Sequence, residues 1–107
     1  MFAKKFRLPS RISTLTFSVL QTSLFVLKYH KNDIAINRFG FVSSKKIDKR
    51  AVYRNRVRRQ LRGLLEELNY SLPQGYDILF ILKAALKEKT VQQIKEILII
   101  NLIKALV

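Results

Sequence analysis

The stretch from residue 51 to residue 70 constrains this chain more than any other. Val57, Leu61, Leu64, Leu65 and Leu68 stand at i, i+4, i+7, i+8 and i+11, so a helix gathers them into one apolar stripe. Asn55, Arg58, Arg59 and Arg62 fall on the wheel away from that stripe, with Arg54 and Arg56 flanking it in the first turn. A leucine face of this kind has to be buried. With 107 residues, 49% of them hydrophobic, the chain can build one core but not two. The expectation is a single domain over residues 1–107, with about residues 1–10 flexible.

The opposite face of the helix is cationic. Nine of the eighteen residues from Lys45 to Arg62 are basic, and Asp48 is the only acidic one among them. Arg54, Arg58 and Arg62 repeat at i, i+4 and i+8, and each like-charged pair costs an isolated helix about 0.2 to 0.5 kcal/mol. Positive charge near a helix N-terminus also opposes the macrodipole. A bound phosphate reverses both signs, because first-turn N–H groups and guanidinium forks converge on the same anion. A merely solvated basic face would carry interspersed acids, yet Glu66 and Glu67 come only after the patch. Across the chain, 21 Lys and Arg against 7 Asp and Glu leave a net charge of +14. A domain this basic meets a polyanion, nucleic acid foremost and an anionic membrane surface second.

Composition removes most other chemistry. Without cysteine there are no disulfides, thiol nucleophiles or common structural zinc sites, and His30 is the lone imidazole. Glu66 and Glu67 are neighbours that diverge by about 100° on a helix, Asp77 opens an apolar strand and Asp33 lies in a turn, so no paired-carboxylate site is evident. No catalytic residue and no metal ligand is expected in the chain itself. Residues 1–27 loosely imitate a secretory signal, but Pro9 and Arg11 interrupt them and no small-residue cleavage site follows, which points to a cytoplasmic protein. The apolar run Ile97 to Val107 is too short to cross a bilayer, for which about 20 residues are needed, and reads as a helix packed on a sheet.

The remaining elements follow from period and punctuation. A helix starting at Ser10 or Ser13 is expected to run through Leu15 to Leu20. Residues 24–30 alternate, with Phe25, Leu27 and Tyr29 on one side and Val26, Lys28 and His30 on the other, the pattern of a half-buried strand. Asn32-Asp33 supplies a turn into a second strand from about Ile34 to Ser44, and an antiparallel pair is expected, with Gly40 marking a close approach. Pro73 and Gly75 precede Tyr76 to Leu82, a strand apolar on both faces and therefore central. A last helix starts at the N-cap Thr90. The order α-β-β-α-β-α predicts an α+β fold, a small two-layer sandwich with helices packed on a mainly antiparallel sheet.

Ser44-Lys45-Lys46, followed by Arg54-Asn55-Arg56-Val57-Arg58-Arg59-Gln60-Leu61-Arg62, resembles the signature of the bacterial ribonuclease P protein component. Arg7-Leu8, Arg38-Phe39-Gly40-Phe41 and Tyr76-Asp77-Ile78 are similar to that family in order and spacing, and the resemblance holds from about Phe25 to Lys83. It implies a cofactor of a catalytic RNA that removes the 5′ leader of precursor tRNA, with Mg2+ held mainly by RNA, one protein per RNA and no membrane. It also implies a left-handed βαβ crossover, against the usual hand. Carried over, the contacts to the RNA subunit are Lys45, Lys46, Arg54, Asn55, Arg56, Arg58, Arg59 and Arg62. The leader cleft takes Phe17, matched to a Phe of the family's first helix, with Val26, Lys28 and His30, and Tyr29 if the strand register slips by one. The chain departs from the family after Phe17, where Gln21, Thr22 and Ser23 replace an aromatic, basic residues and Gly, and at Lys83, where Arg is common.

Two other readings accommodate the charge. A ribosomal or other structural RNA-binding protein fits the α+β pattern but leaves the ordered motifs unexplained. A peripheral membrane protein would use the apolar C-terminal helix, yet the strongest basic patch lies on a different helix.

Overall fold

The computed structural model describes residues 6–9, 16–43 and 50–107. Four strands, β1 (Ser18–Gln21), β2 (Phe25–Lys31), β3 (Arg38–Val42) and β4 (Tyr76–Leu82), form one sheet. Two helices, α1 (Ala51–Leu68) and α2 (Val91–Leu106), complete the regular structure, together with short 3-10 turns at Asn69–Ser71 and Ala84–Glu88. The α+β class and the two-layer arrangement are as the sequence predicts.

Strand β4 organises the sheet. Ile78, Phe80 and Leu82 point into the core while Leu79 and Ile81 lie half-buried on the other face, and both edges of the strand are paired. The sheet order is accordingly β1-β2-β4-β3. β2 runs antiparallel to β4 along its full length, from Phe25 opposite Leu82 to Lys31 opposite Tyr76, and β3 runs parallel to β4 on the other side.

Two sequence expectations are corrected here. The strands at 24–30 and 34–44 do not pair with each other, because β4 inserts between them and the second strand starts only at Arg38. The turn explains why. Asn32 donates its backbone N–H to the Gly75 carbonyl at 2.7 Å and its side-chain amide to Ile36 O and Asp77 Oδ1 at 3.0 and 2.9 Å, so the turn is anchored to the start of β4 and not closed as a hairpin. The other correction concerns the expected first helix. Residues 18–20 belong to β1, which pairs antiparallel with β2 from Ser18 opposite Tyr29 to Gln21 opposite Val26, and residues 10–15 lie outside the described residues. Thr14 and Thr16 already weaken a helix there, and the edge of β2 supplies partners that a short helix lacks. Thr22 Oγ1 accepts from the N–H groups of Leu24 and Phe25 and closes this hairpin in three residues.

Both helices pack on one face of the sheet. Leu61 and Leu65 of α1 and Ile94, Leu98 and Leu102 of α2 are buried with Phe25, Leu27, Ile78 and Phe80. Phe80 meets Phe25 edge-on, centroids 5.2 Å apart, and lies nearly parallel to Phe41 at 5.8 Å. α2 starts where expected: Thr90 Oγ1 accepts from Gln93 N while Gln93 Oε1 accepts from Thr90 N, a reciprocal capping box. α1 serves as the crossover that the parallel β3–β4 pair requires. It returns to the sheet through residues 69–75, where the buried Asn37 donates to Pro73 O at 2.8 Å and Asn69 Oδ1 at 3.1 Å and accepts from Tyr76 N at 2.9 Å.

Neither α1 nor α2 covers the second face of the sheet. Val19, Val26, Lys28, His30, Leu79, Ile81 and Val42 share it by register. Arg7 bridges to Phe39 alongside β3, and Leu8 donates to Phe39 O at 2.8 Å. Gly40 is where Leu8 crosses: a Cβ at that position would stand 3.1 Å from Leu8 Cβ and 3.2 Å from Leu79 Cδ1, the close approach the sequence marked.

Candidate nucleic-acid interface

The leucine stripe decides how α1 sits. Val57, Leu61, Leu64 and Leu65 are buried against the sheet, which rotates Asn55, Arg56 and Arg59 into solvent and leaves Arg54, Arg58 and Arg62 half-exposed along the helix flanks. Burial of the stripe therefore aims the arginines. The helix begins after Arg50, whose backbone is extended (φ −83°, ψ 121°), with no side-chain cap and no acidic residue in the first turn. The positive end of the macrodipole and the arginine cluster thus coincide. Arg58 donates to the Asn55 side chain one turn earlier, joining two of the predicted contact residues. Lys45 and Lys46, predicted beside them, lie outside the described residues.

Aromatic rings on and beneath this helix hold several of the cations. Cζ of Arg50 and of Arg56 lie 3.9 and 5.2 Å from the ring centroid of Tyr53, and Cζ of Arg62 lies 5.7 Å from that of Phe41 in β3. Sequence reasoning missed Tyr53; the signal available was its i±3 spacing from two arginines.

The open sheet face carries the second set of predicted residues. Phe17 is buried and its ring stacks on His30, centroids 5.3 Å apart and planes 14° from parallel, extending the β1–β2 register by one pair. Val26 and Lys28 follow on the same face. Tyr29 does not join them. It lies opposite Ser18 and Ile78, with its ring packed against the core, so no register slip brings it to the open face. Phe17 stands at the mouth of β1 and not on a helix.

Beside the Phe17–His30 stack lies a groove of ≈ 400 Å³ lined also by Asn32, Arg38 and Asp77. Arg38 grips the buried Asp77 with Nε to Oδ1 at 2.8 Å and Nη2 to Oδ2 at 2.7 Å, and this hydrogen bonding raises the Arg38 pKa above its already strongly basic value. Asp77 is thereby a structural carboxylate. Glu67 pairs with Lys95 of α2 at 2.8 Å, and Lys83 donates to the Thr22 carbonyl at 2.7 Å. Among the described residues, no three His, Asp or Glu side chains converge as metal ligands, and no helix is long and apolar enough to cross a membrane.

A two-layer α+β domain whose crossover helix turns a leucine stripe inward and an arginine face outward defines a small basic protein built around one cationic helix. The family model described as Ribonuclease P matches residues 14–106, and the chain belongs to the ribonuclease P protein family. It is 41% identical over 71 residues to the ribonuclease P protein component of Caldanaerobacter subterraneus subsp. tengcongensis, covering 66% of this chain and 60% of that relative. With the corresponding protein of Mesoplasma florum it shares 33% identity over 91 residues, 84% of this chain and 80% of the relative. The RNase P protein from Thermotoga maritima superimposes with a TM-score of 0.80 at 28% identity, covering 90% of this chain and 94% of that one.

Proposed function

We propose that this chain is the protein subunit of a bacterial, cytoplasmic ribonuclease P and assists RNA-catalysed removal of the 5′ leader from precursor tRNA. The arginine face of α1 carries the reading. It binds the catalytic RNA subunit through Arg54, Asn55, Arg56, Arg58, Arg59 and Arg62, with Lys45 and Lys46 beside them, one protein per RNA. Each phosphate neutralised by an arginine releases counterions, so affinity depends steeply on salt.

The open sheet face takes the leader through Phe17, Val26 and Lys28, next to His30. Stacking on aromatic faces is tolerant of sequence, which suits a leader that varies among tRNA precursors. Tyr29 remains part of this proposal only as a support beneath the strand, given its packing against the core. Among the described residues no cluster of carboxylates and His forms a metal site, and Asp77 is taken by Arg38 and Asn32 and Glu67 by Lys95. On this reading Mg2+ is held by the RNA. The protein's contribution is electrostatic, offsetting phosphate repulsion where RNA subunit and substrate meet.

The test is leader cleavage of a precursor tRNA at low magnesium by a bacterial ribonuclease P RNA, with wild-type protein and with Arg54, Arg58 and Arg62 changed to Ala. Rescue by wild type alone, with no cleavage by protein without RNA, is the expected result. Absence of rescue under conditions where another family member rescues would replace this reading with that of a structural RNA-binding protein.

A further inference from the structure

The basic helix contains one aromatic side chain, and two guanidinium groups lie over it. Cζ of Arg50 is 3.9 Å and Cζ of Arg56 is 5.2 Å from the centroid of Tyr53. Two like charges drawn to one ring repel each other, and the negative face of the ring offsets part of that repulsion. Tyr53 is half-buried, and among the described residues it belongs neither to the buried cluster nor to the partly buried side chains packed against it. In this it differs from Phe41, which lies under Arg62 but packs on the core as well.

We propose that Tyr53 is a positioning residue for RNA binding, holding Arg50 and Arg56 in the orientation in which they meet phosphate. The inference rests on the reading of α1 as an RNA-binding face. An arginine loses considerable rotamer freedom when it engages a phosphate, and a side chain already ordered loses less. Stacking uses the flat face of the guanidinium, whereas its N–H donors radiate in the plane, so a ring orders the group without competing for the donors that grip phosphate. Arg50 precedes the helix and Arg56 stands close to its start, so a single ring organises charge at the N-terminal end of α1.

The test uses the full chain and an in vitro transcribed bacterial ribonuclease P RNA, with Tyr53→Phe and Tyr53→Met. Phe keeps the ring without the hydroxyl, and Met keeps bulk and helix propensity without the ring. Tyr53→Phe should bind within about twofold of wild type and Tyr53→Met roughly three- to tenfold more weakly. The slope of log affinity against log salt should be the same for all three, because the number of phosphates contacted is unchanged. In the free protein, the upfield ring-current shifts of the Arg50 and Arg56 side-chain protons should persist in Tyr53→Phe and vanish in Tyr53→Met, with thermal midpoints within about 2 °C of wild type.

Equal affinity of Tyr53→Met and wild type would overturn the role of Tyr53 while leaving RNA binding by α1 intact. So would an equal loss in both variants, which would place the effect on the hydroxyl, or unfolding of Tyr53→Met, which would make the ring a core element. Wild-type protein that fails to bind the RNA would remove the reading of α1 itself, and this role with it.

Discussion

Arg38 and Asp77 face each other across the parallel strands β3 and β4 and are joined by two hydrogen bonds of 2.8 and 2.7 Å, with Asn32 donating to the same carboxylate at 2.9 Å. The pair lies at the point where the β2–β3 turn, the edge strand and the central strand meet. Arg38→Ala would leave a buried carboxylate with a single side-chain donor and should destabilise the fold by about 3 kcal/mol in urea denaturation. Asp77→Asn, which keeps the shape and removes the charge, should cost less. Because the folded-state pKa of Arg38 is raised, its contribution is fully present below its ordinary pKa and is lost only as pH climbs through the higher folded value. Removing Arg38 should therefore cost the same at neutral pH as at about pH 9.

Changing Arg54 and Arg58 together to Ala should alter the stability of the free protein by less than about 1 kcal/mol, because removing a like-charged i, i+4 pair offsets the loss of side-chain contacts such as that of Arg58 with Asn55. RNA affinity should fall, and the slope of log affinity against log salt should lessen by about 1 to 2. A stability loss above about 1 kcal/mol would show that these arginines hold the fold, against the present assignment.

Phe17 is buried and His30 is exposed, although the two rings form one stack. Phe17→Ala should consequently cost about 3 kcal/mol in thermal unfolding and His30→Ala under about 1 kcal/mol. The reverse order would mean that the stack is held from the His30 side.

Thr90→Ala removes one half of the capping box at α2 and should cost about 1 kcal/mol, while Thr90→Ser should be nearly neutral. Amide exchange in the first turn of α2 should quicken in the Ala variant alone.

The elements whose signal is local were legible. The leucine stripe of α1, the doubly apolar β4 and the cap at Thr90 each announce themselves within a few residues, because helical and strand periods are properties of the chain segment. Residues 18–21 were not, since Ser-Val-Leu-Gln is too short to carry a clear period and took the conformation that the edge of β2 offered. Of the predicted site residues, the arginines followed from the position of the stripe, whereas Tyr29 depended on strand register and fell on the core side.

The sequence by itself determined that this chain carries one core, one cationic helix and a large positive charge, because apolar spacing and net charge act whatever the strand order. Only the tertiary structure decided that β4 lies between β2 and β3, that Phe17 meets His30, and that Asp77 is closed off by Arg38 and Asn32. These depend on which strand edges pair. That choice is made by contacts between residues about forty positions apart, whose partners no local pattern names.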